Sequence, residues 1–535
     1  MRHALTLLCL LLALPVLGVL GAWFALDAAA LAVLRHQWTT VLPDYVLQSA
    51  LLAGGVALGV MLLGSAAAAA VTLFDFPGRR LFEWALLLPL AVPAYVLAYA
   101  WTDALQFSGP LQSGLRQALG LQGALWPDVR SLPMAVLLFV LCLYPYVYLL
   151  ARAALGERAV RLMEAARLLG APMRRRVLEI ALPMARPAIA AGTALALMET
   201  LADYGVGSYF GLTTFSTGIY KAWLVMNDRV AAAQLAALLL VVVAALLMAE
   251  RRAQRRLRFA SSRTAAPSAD ARPLVLRGAA AATLATLCAL PVLFGFVLPV
   301  AWLAHMLWQE ARLADAGLPL ARFAQWALSS FKLAAIAALA ATALALALAF
   351  ALRQKRGLLL PPAARVLSLG YAVPGAVIAV GILLPVGWVQ ARWPGAGAAA
   401  LVTGTVFGLL YAYLVRFSAV ALQSVEAGYA RVPLSIDETA RLLGSGARRL
   451  FTELHLPLLR RSAGAAALLV FVDVMKELPA TLVLRPFGSD TLAVVAYNLA
   501  RDERLAEAAL PSLAIVAVGL IPVILLSRAL RAPAA

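Results

Sequence analysis

Charged residues are scarce in this chain. They make up 13% of its 535 residues, against 63% hydrophobic, whereas a soluble globular protein is about a quarter charged and about half apolar. That shortage excludes a soluble enzyme and a disordered chain. Cysteine is nearly absent. Cys9, Cys142 and Cys288 all lie inside apolar runs, so they read as packing residues and build neither a disulfide framework nor a thiolate metal site. The four histidines (His3, His36, His305, His455) have no ligand spacing. Lysine also numbers four (Lys221, Lys332, Lys355, Lys476), and none follows the GxxxxGK[ST] loop that holds nucleotide phosphates. The chain is therefore expected to carry no catalytic centre, no metal and no cofactor, and to hydrolyse no ATP by that route.

What the chain has in abundance is long apolar runs. Runs of about 20 residues, the length that crosses a bilayer, occur near 4–24, 49–73, 82–102, 132–152, 187–204, 231–249, 279–307, 328–352, 366–386, 398–420, 462–480 and 506–527. The expectation is an all-α polytopic membrane protein with about twelve transmembrane helices. The first run is too long for the 7–15-residue core of a cleaved secretory signal, so it is read as a span. Pro93 and Pro374 are expected to kink the third and ninth spans. The net charge of +19 fits basic inner loops: Arg79-Arg80, Arg174-Arg175-Arg176, Arg251-Arg252, Arg255-Arg256, Arg448-Arg449 and Arg460-Arg461 all fall on one side. Both termini are then cytoplasmic by the positive-inside rule. The basic residues are thus expected to set topology from cytoplasmic loops, with the lipid bilayer around the spans and no nucleic acid bound.

The sequence also repeats. Glu164-Ala-Ala-Arg-Leu-Leu-Gly170 returns as Glu438-Thr-Ala-Arg-Leu-Leu-Gly444, an offset of 274 residues that also relates Pro183 to Pro457, Asp203 to Glu477 and Asp228 to Asp502. Upstream the offset becomes 281, as Val92-Pro93 and Val373-Pro374 show. Residues 1–249 and 279–535 are thus expected to be two six-span halves in parallel orientation, joined by the basic linker 250–278. Each repeated loop reads as a short helix, a glycine break, a second helix, and a proline where the chain re-enters the membrane. Two such surfaces on one membrane face suit a pair of identical partners.

The loop residues resemble a known family. Glu-Ala-Ala, three residues, Gly, nine residues, Ile-x-Leu-Pro is similar to the hallmark loop of inner-membrane permeases of binding-protein-dependent ABC importers. Glu164, Ala165, Ala166, Gly170, Ile180, Leu182 and Pro183 match it fully. The second copy keeps Glu438, Gly444, Leu456 and Pro457 but has Thr439 and Leu454. The resemblance implies a type I importer permease fold, with each loop docking one of two copies of a cytoplasmic ATP-binding subunit. It also implies a periplasmic substrate-binding protein and a place in the bacterial inner membrane. Met198-Glu199-Thr-Leu-Ala-Asp203-Tyr-Gly, Asp473-Val-Met-Lys476-Glu477-Leu-Pro-Ala and Leu484-Arg-Pro-Phe-Gly-Ser-Asp-Thr-Leu further resemble ferric-iron permeases with two fused halves. Thiamine permeases share the layout and match these stretches less well. An ion-gradient secondary transporter is the rival from another class.

Four acids lie within spans: Glu199 with Asp203 and Asp473 with Glu477, each pair at i, i+4 and so on one helix face. Asp473 falls about 16 Å from the inner end of its span at 1.5 Å per residue, where an ionised group costs about 2.5–3.5 kcal/mol. Three readings stand: carboxylates satisfied by helix packing, carboxylates that line or gate a translocation pathway, and direct coordination of a hard cation.

Overall fold

The computed structural model describes residues 2–21, 28–155, 160–261, 273–313, 317–354 and 359–531. Helix dominates throughout. Among the described residues the only strand pairing is two residues long, Phe74–Asp75 parallel to Leu274–Val275. Ten helices among the described residues are long and apolar enough to cross a membrane. An eleventh span appears if Arg79–Ala91 and Ala94–Leu119, bent by 89°, count as one. The remaining expected span coincides with the 21-residue helix Leu456–Lys476, whose Arg460, Arg461, Asp473 and Lys476 lower its apolar content.

Pro93 and Pro374 do more than kink a helix. Each sits at the N-cap of a new helix, Ala94–Leu105 and Gly375–Arg392, with ψ of 145° and 141°. The preceding Val92 and Val373 are extended (ψ 115° and 125°), as the proline ring forces on the residue before it. Both spans are broken there, each preceded by a short 3-10 turn, Leu88–Ala91 and Gly370–Ala372.

The described chain divides into two compact units. One combines Met1–Gln37, Ile219–Leu240 and Pro319–Val495. The other combines Trp38–Gly218, Val241–Leu318 and Ala496–Ala535. Each unit thus takes the middle of one sequence half and the outer segments of the other. In the first unit, helices Leu320–Arg353, Phe407–Tyr429 and Leu456–Lys476 pack mutually, and the N-terminal helix Arg2–Gly21 lies on Gly375–Arg392. That contact is close because Gly381 has no side chain; a methyl there would collide with the Pro15 carbonyl. In the other unit, Leu42–Leu73, Leu132–Ala154 and Leu182–Ala202 form the equivalent three-helix core. A Cβ on Gly192 would stand 2.7 Å from the Val147 Cα. Small residues let helix backbones approach in this way where lipid offers no hydrophobic drive for association.

Residues 262–272 of the expected linker lie outside the described residues. Before them the helix Arg229–Ser261 runs on past the sixth span. After them Leu274–Val275 is held on Phe74–Asp75.

Candidate coupling loops and membrane carboxylates

The two repeated loops have the same backbone. Short helices Val160–Leu168 and Leu434–Leu442 are followed by single turns Met173–Arg175 and Ala447–Arg449, then by Leu182–Ala202 and Leu456–Lys476. Every one of these bounds recurs at the 274-residue offset. Gly170 and Gly444 have φ of +78° and +82°, a conformation that is cheap only for glycine. The residue after each glycine closes the turn: Ala171 N–H donates to the Ala166 carbonyl and Ser445 N–H to the Ala440 carbonyl, 2.9 Å in both. This six-to-one bond is the Schellman ending of a helix.

Between each turn and its span, the helix widens into one π-type turn, Arg176–Ala181 and Leu450–His455. Pro183 and Pro457 explain it. A proline in a continuing helix lacks an N–H and clashes with the carbonyl four residues back, here that of Glu179 or Glu453. Widening the ladder relieves both problems and keeps the chain helical into the membrane.

The side chains of the two loops can be compared position by position. Glu164 lies on the helix Val160–Leu168, and its side chain is outside the described residues; Glu438 is exposed. Ala165 is exposed and Ala166 buried. Thr439 is exposed, Pro183 is half-buried and Pro457 exposed. Sequence reasoning missed the leucines. Leu168 and Leu169 are 89% and 86% exposed, and Leu442 and Leu443 are 88% and 81% exposed. Their signal was present in the repeat itself: the same apolar pair stands before the same glycine, where a solvated turn would be polar. Arg175–Glu179 and Arg449–Glu453 pair identically on the surface at 2.7 Å; exposed pairs of this kind add little stability.

Beneath the second loop helix is a buried ionic cluster. The Arg353 guanidinium donates to both oxygens of Asp437 (2.8 and 3.0 Å) and to the carbonyls of Val432 and Pro433 (3.0 and 2.9 Å). His455 Nε2 lies 3.1 Å from Asp437 Oδ1, and its Nδ1 lies 2.9 Å from the Tyr429 hydroxyl. Burial alone would raise the Asp437 carboxyl, but the hydrogen bonds and charge of Arg353, with His455, hold it below the usual carboxylate value. Burial lowers His455, and Asp437 offsets that only in part. The lowered affinity favours the neutral ring, in which Nε2–H donates to Asp437 and Nδ1 accepts from Tyr429.

The membrane carboxylates separate into two kinds. Asp203 and Glu477 both stand where a span stops. Each follows the last residue of its helix, with extended φ/ψ of −71°/131° and −70°/120°. Each caps the short helix beyond it. Asp203 Oδ1 accepts from Val206 N–H at 2.8 Å. Glu477 accepts from the N–H groups of Ala480 (2.9 Å) and Thr481 (3.0 Å), from the Thr481 hydroxyl, and from Arg416 at 3.3 Å. The Glu477 side chain is 1% exposed. Helix N-termini attract carboxylates for the reason these geometries display: their first N–H groups lack partners. Gly375 leaves the room, since a Cβ there would stand 2.8 Å from Glu477 Oε1. Glu199 and Asp473, one turn earlier, are half-buried. Near Asp203 the Tyr497 hydroxyl meets Ser208 Oγ at 2.8 Å and Tyr204 at 3.3 Å. Among the described residues, no group of three or more His, Cys, Asp or Glu could hold a metal ion.

The described structure is thus a helical protein with ten or eleven spans, two of them broken at a proline, and a repeated loop of matching backbone. Residues 60–259, which include the first loop, match the family described as binding-protein-dependent transport system inner membrane component. It is 26% identical over 479 residues to an Fe(3+)-transport system permease protein of Haemophilus influenzae, covering 88% of this chain and 87% of that protein. Shorter similarities reach proteins named as 2-aminoethylphosphonate transport system permeases. One, from Salmonella choleraesuis, is 26% identical over 33% of this chain and 63% of its own length. Another, from Salmonella typhimurium, is 28% identical over 30% of this chain and 59% of its own length. Transport of this kind engages a substrate-binding protein and an ATPase.

Proposed function

We propose that this permease moves ferric iron inward, driven by ATP hydrolysed on a separate cytoplasmic subunit. The observation that carries the cargo is the similarity to the Haemophilus Fe(3+) permease along nearly the whole of both chains. One ATP-binding subunit docks on each loop, contacting Glu164, Ala165, Ala166 and Gly170 in one and Glu438 and Gly444 in the other. Pro183 and Pro457 relay movement into the spans. The matched glycine turns and the exposed leucine pairs support this reading, because paired apolar side chains left in water are costly unless something covers them. The halves 1–249 and 279–535, linked by 250–278, work as equivalent arms, with both termini in the cytoplasm.

Glu199 and Asp473 border the translocation pathway in this reading. Asp203 and Glu477 hold the broken ends of the same spans, so that the breaks open or close as units. Hydrolysis on a separate subunit follows from the want of any phosphate-binding loop around the four lysines.

The test is uptake of radioactive ferric iron into proteoliposomes holding the permease, its ATPase and its binding protein. ATP-dependent uptake is expected, stopped by charge reversal at Glu164 and Glu438. Iron uptake that persists without the ATPase would sink the proposal. The phosphonate permease similarities favour one second reading, an organophosphonate cargo. Competition of iron uptake by 2-aminoethylphosphonate separates the two.

A further inference from the structure

The two loop helices share a backbone but differ in the buried side chains at matching positions. Asp437 sits one residue before Glu438 on the second loop helix, and its carboxylate ties four elements together. Arg353 is the last residue of the span Leu320–Arg353, Tyr429 the last of Phe407–Tyr429, and His455 ends the widened turn leading into Leu456–Lys476. All these groups are buried: side-chain exposure is 8% for Arg353, 4% for Asp437 and 0% for His455. At the corresponding positions the first loop has Met163 for Asp437 and Ala181 for His455, both buried, and its span ends in Leu73 where the other ends in Arg353. Among the described residues, the ionic group Arg79–Glu83–Arg152 of the first unit includes no residue of the helix Val160–Leu168.

We propose that Arg353, Asp437 and His455 are positioning residues that lock the second loop helix to its span ends, so that the two loops pass on the ATPase's movement unequally. The inference rests on reading both loops as ATPase docking sites. A bidentate guanidinium–carboxylate pair fixes distance and angle together. An apolar seat on Met163 fixes neither, because burial is non-directional and methionine adapts to its surroundings. A push on the second loop therefore reaches Leu320–Arg353 and Phe407–Tyr429 as a rigid displacement. A push on the first is partly absorbed at its seat. The lock is also acid-sensitive. The groups facing His455 are Asp437 and Arg441 from the loop helix, Arg353 from one span end and Tyr429 from another. Protonating Nδ1 removes the acceptor for the Tyr429 hydroxyl and sets a cation beside Arg353.

The test compares the wild-type complex with R353L/D437M/H455A, which replaces the cluster by apolar residues, with methionine and alanine as at Met163 and Ala181. Such apolar replacement of a buried ion pair is often tolerated by the fold. Two readouts are taken: cross-linking of a cysteine at Leu442 to the ATPase subunit, and ATP hydrolysed per cargo moved. The expected result is unchanged cross-linking with a severalfold rise in ATP per cargo. Unchanged cross-linking with a wild-type ratio overturns the lock and leaves the docking reading standing. No cross-link in the wild-type complex overturns the docking reading and the lock with it. If the triple variant does not fold, H455Q carries the test through its pH profile. The wild-type ratio is expected to rise only as pH falls below the ordinary histidine range, because burial lowers this ring's proton affinity, while that of H455Q stays flat. Parallel profiles would overturn the lock.

Discussion

The second loop helix is bolted to its unit by a buried arginine, aspartate and histidine, while the first rests on methionine and alanine, although the backbones of both loops follow the same course residue for residue. Backbone geometry in these loops is set by a glycine with positive φ and a proline that widens the following turn, and both copies keep those two residues. The side chains beneath are set by neighbouring spans, where the copies have diverged. Shared backbone signals therefore preserve the loop shape. Unshared contacts decide how firmly that shape is held.

The comparison can be broken most forcefully at the shared feature. Charge reversal at Glu164 and Glu438 together is expected to abolish ATP-dependent uptake, with the helix content of the purified permease unchanged by circular dichroism. Next in size is the unshared feature. D437N leaves the Arg353 charge buried without its partner and should cost about 3–5 kcal/mol of local stability. The three-residue apolar replacement should cost far less. Thermal unfolding in detergent would separate them, and equal losses would mean the cluster is not the fastening described. E477Q comes third. Glu477 holds two backbone donors, a hydroxyl and Arg416, so E477Q should lower the thermal stability in detergent by about 1 kcal/mol or more per weakened charge-assisted bond. A smaller effect is expected from Leu442→Ser or Leu168→Ser. Both side chains are already in water, so stability should move by less than about 0.5 kcal/mol while affinity for the ATPase falls.

The smallest effect is on pH. His455 has its proton affinity lowered in the fold, so the unfolded chain binds that proton more readily. Stability from this group is complete above about pH 6.5 and is lost as the pH falls below it. Asp437, also lowered, loses its contribution only at more acid pH, below the usual carboxylate value. Hydrogen exchange of the second loop helix should therefore quicken between neutral and mildly acid pH, and that of the first loop should not.

Much of this was legible in the sequence. Apolar runs marked the spans because a bilayer sets a length, and the 274-residue offset marked the loops because glycine and proline have fixed backbone meanings. Pro93 and Pro374 were legible as interruptions. That they begin new helices was not, because the outcome depends on the tertiary bend around them. The ionic cluster was illegible for a different reason. Arg353 is 84 residues from Asp437 and His455 is 18 from it, so no local spacing links them, and His455 looked like one of four scattered histidines. Asp203 and Glu477 were found as membrane acids at matching depth. Their work as helix caps became visible only once both spans were seen to stop beside them. Leu168, Leu169, Leu442 and Leu443 carried a signal in the repeat, an apolar pair before each glycine, but their exposure to water is seen only in the fold.

The central claim is that the twin loops couple this permease to ATP hydrolysis. The most direct measurement is ATP-dependent uptake of ferric iron into proteoliposomes by the reconstituted complex, set beside its ATPase rate, for wild type and for E164K/E438K. The account predicts that the wild type accumulates iron only with ATP and that the variant loses uptake while its spans stay folded. Uptake by the variant at the wild-type rate, with the ATPase still attached, would contradict it.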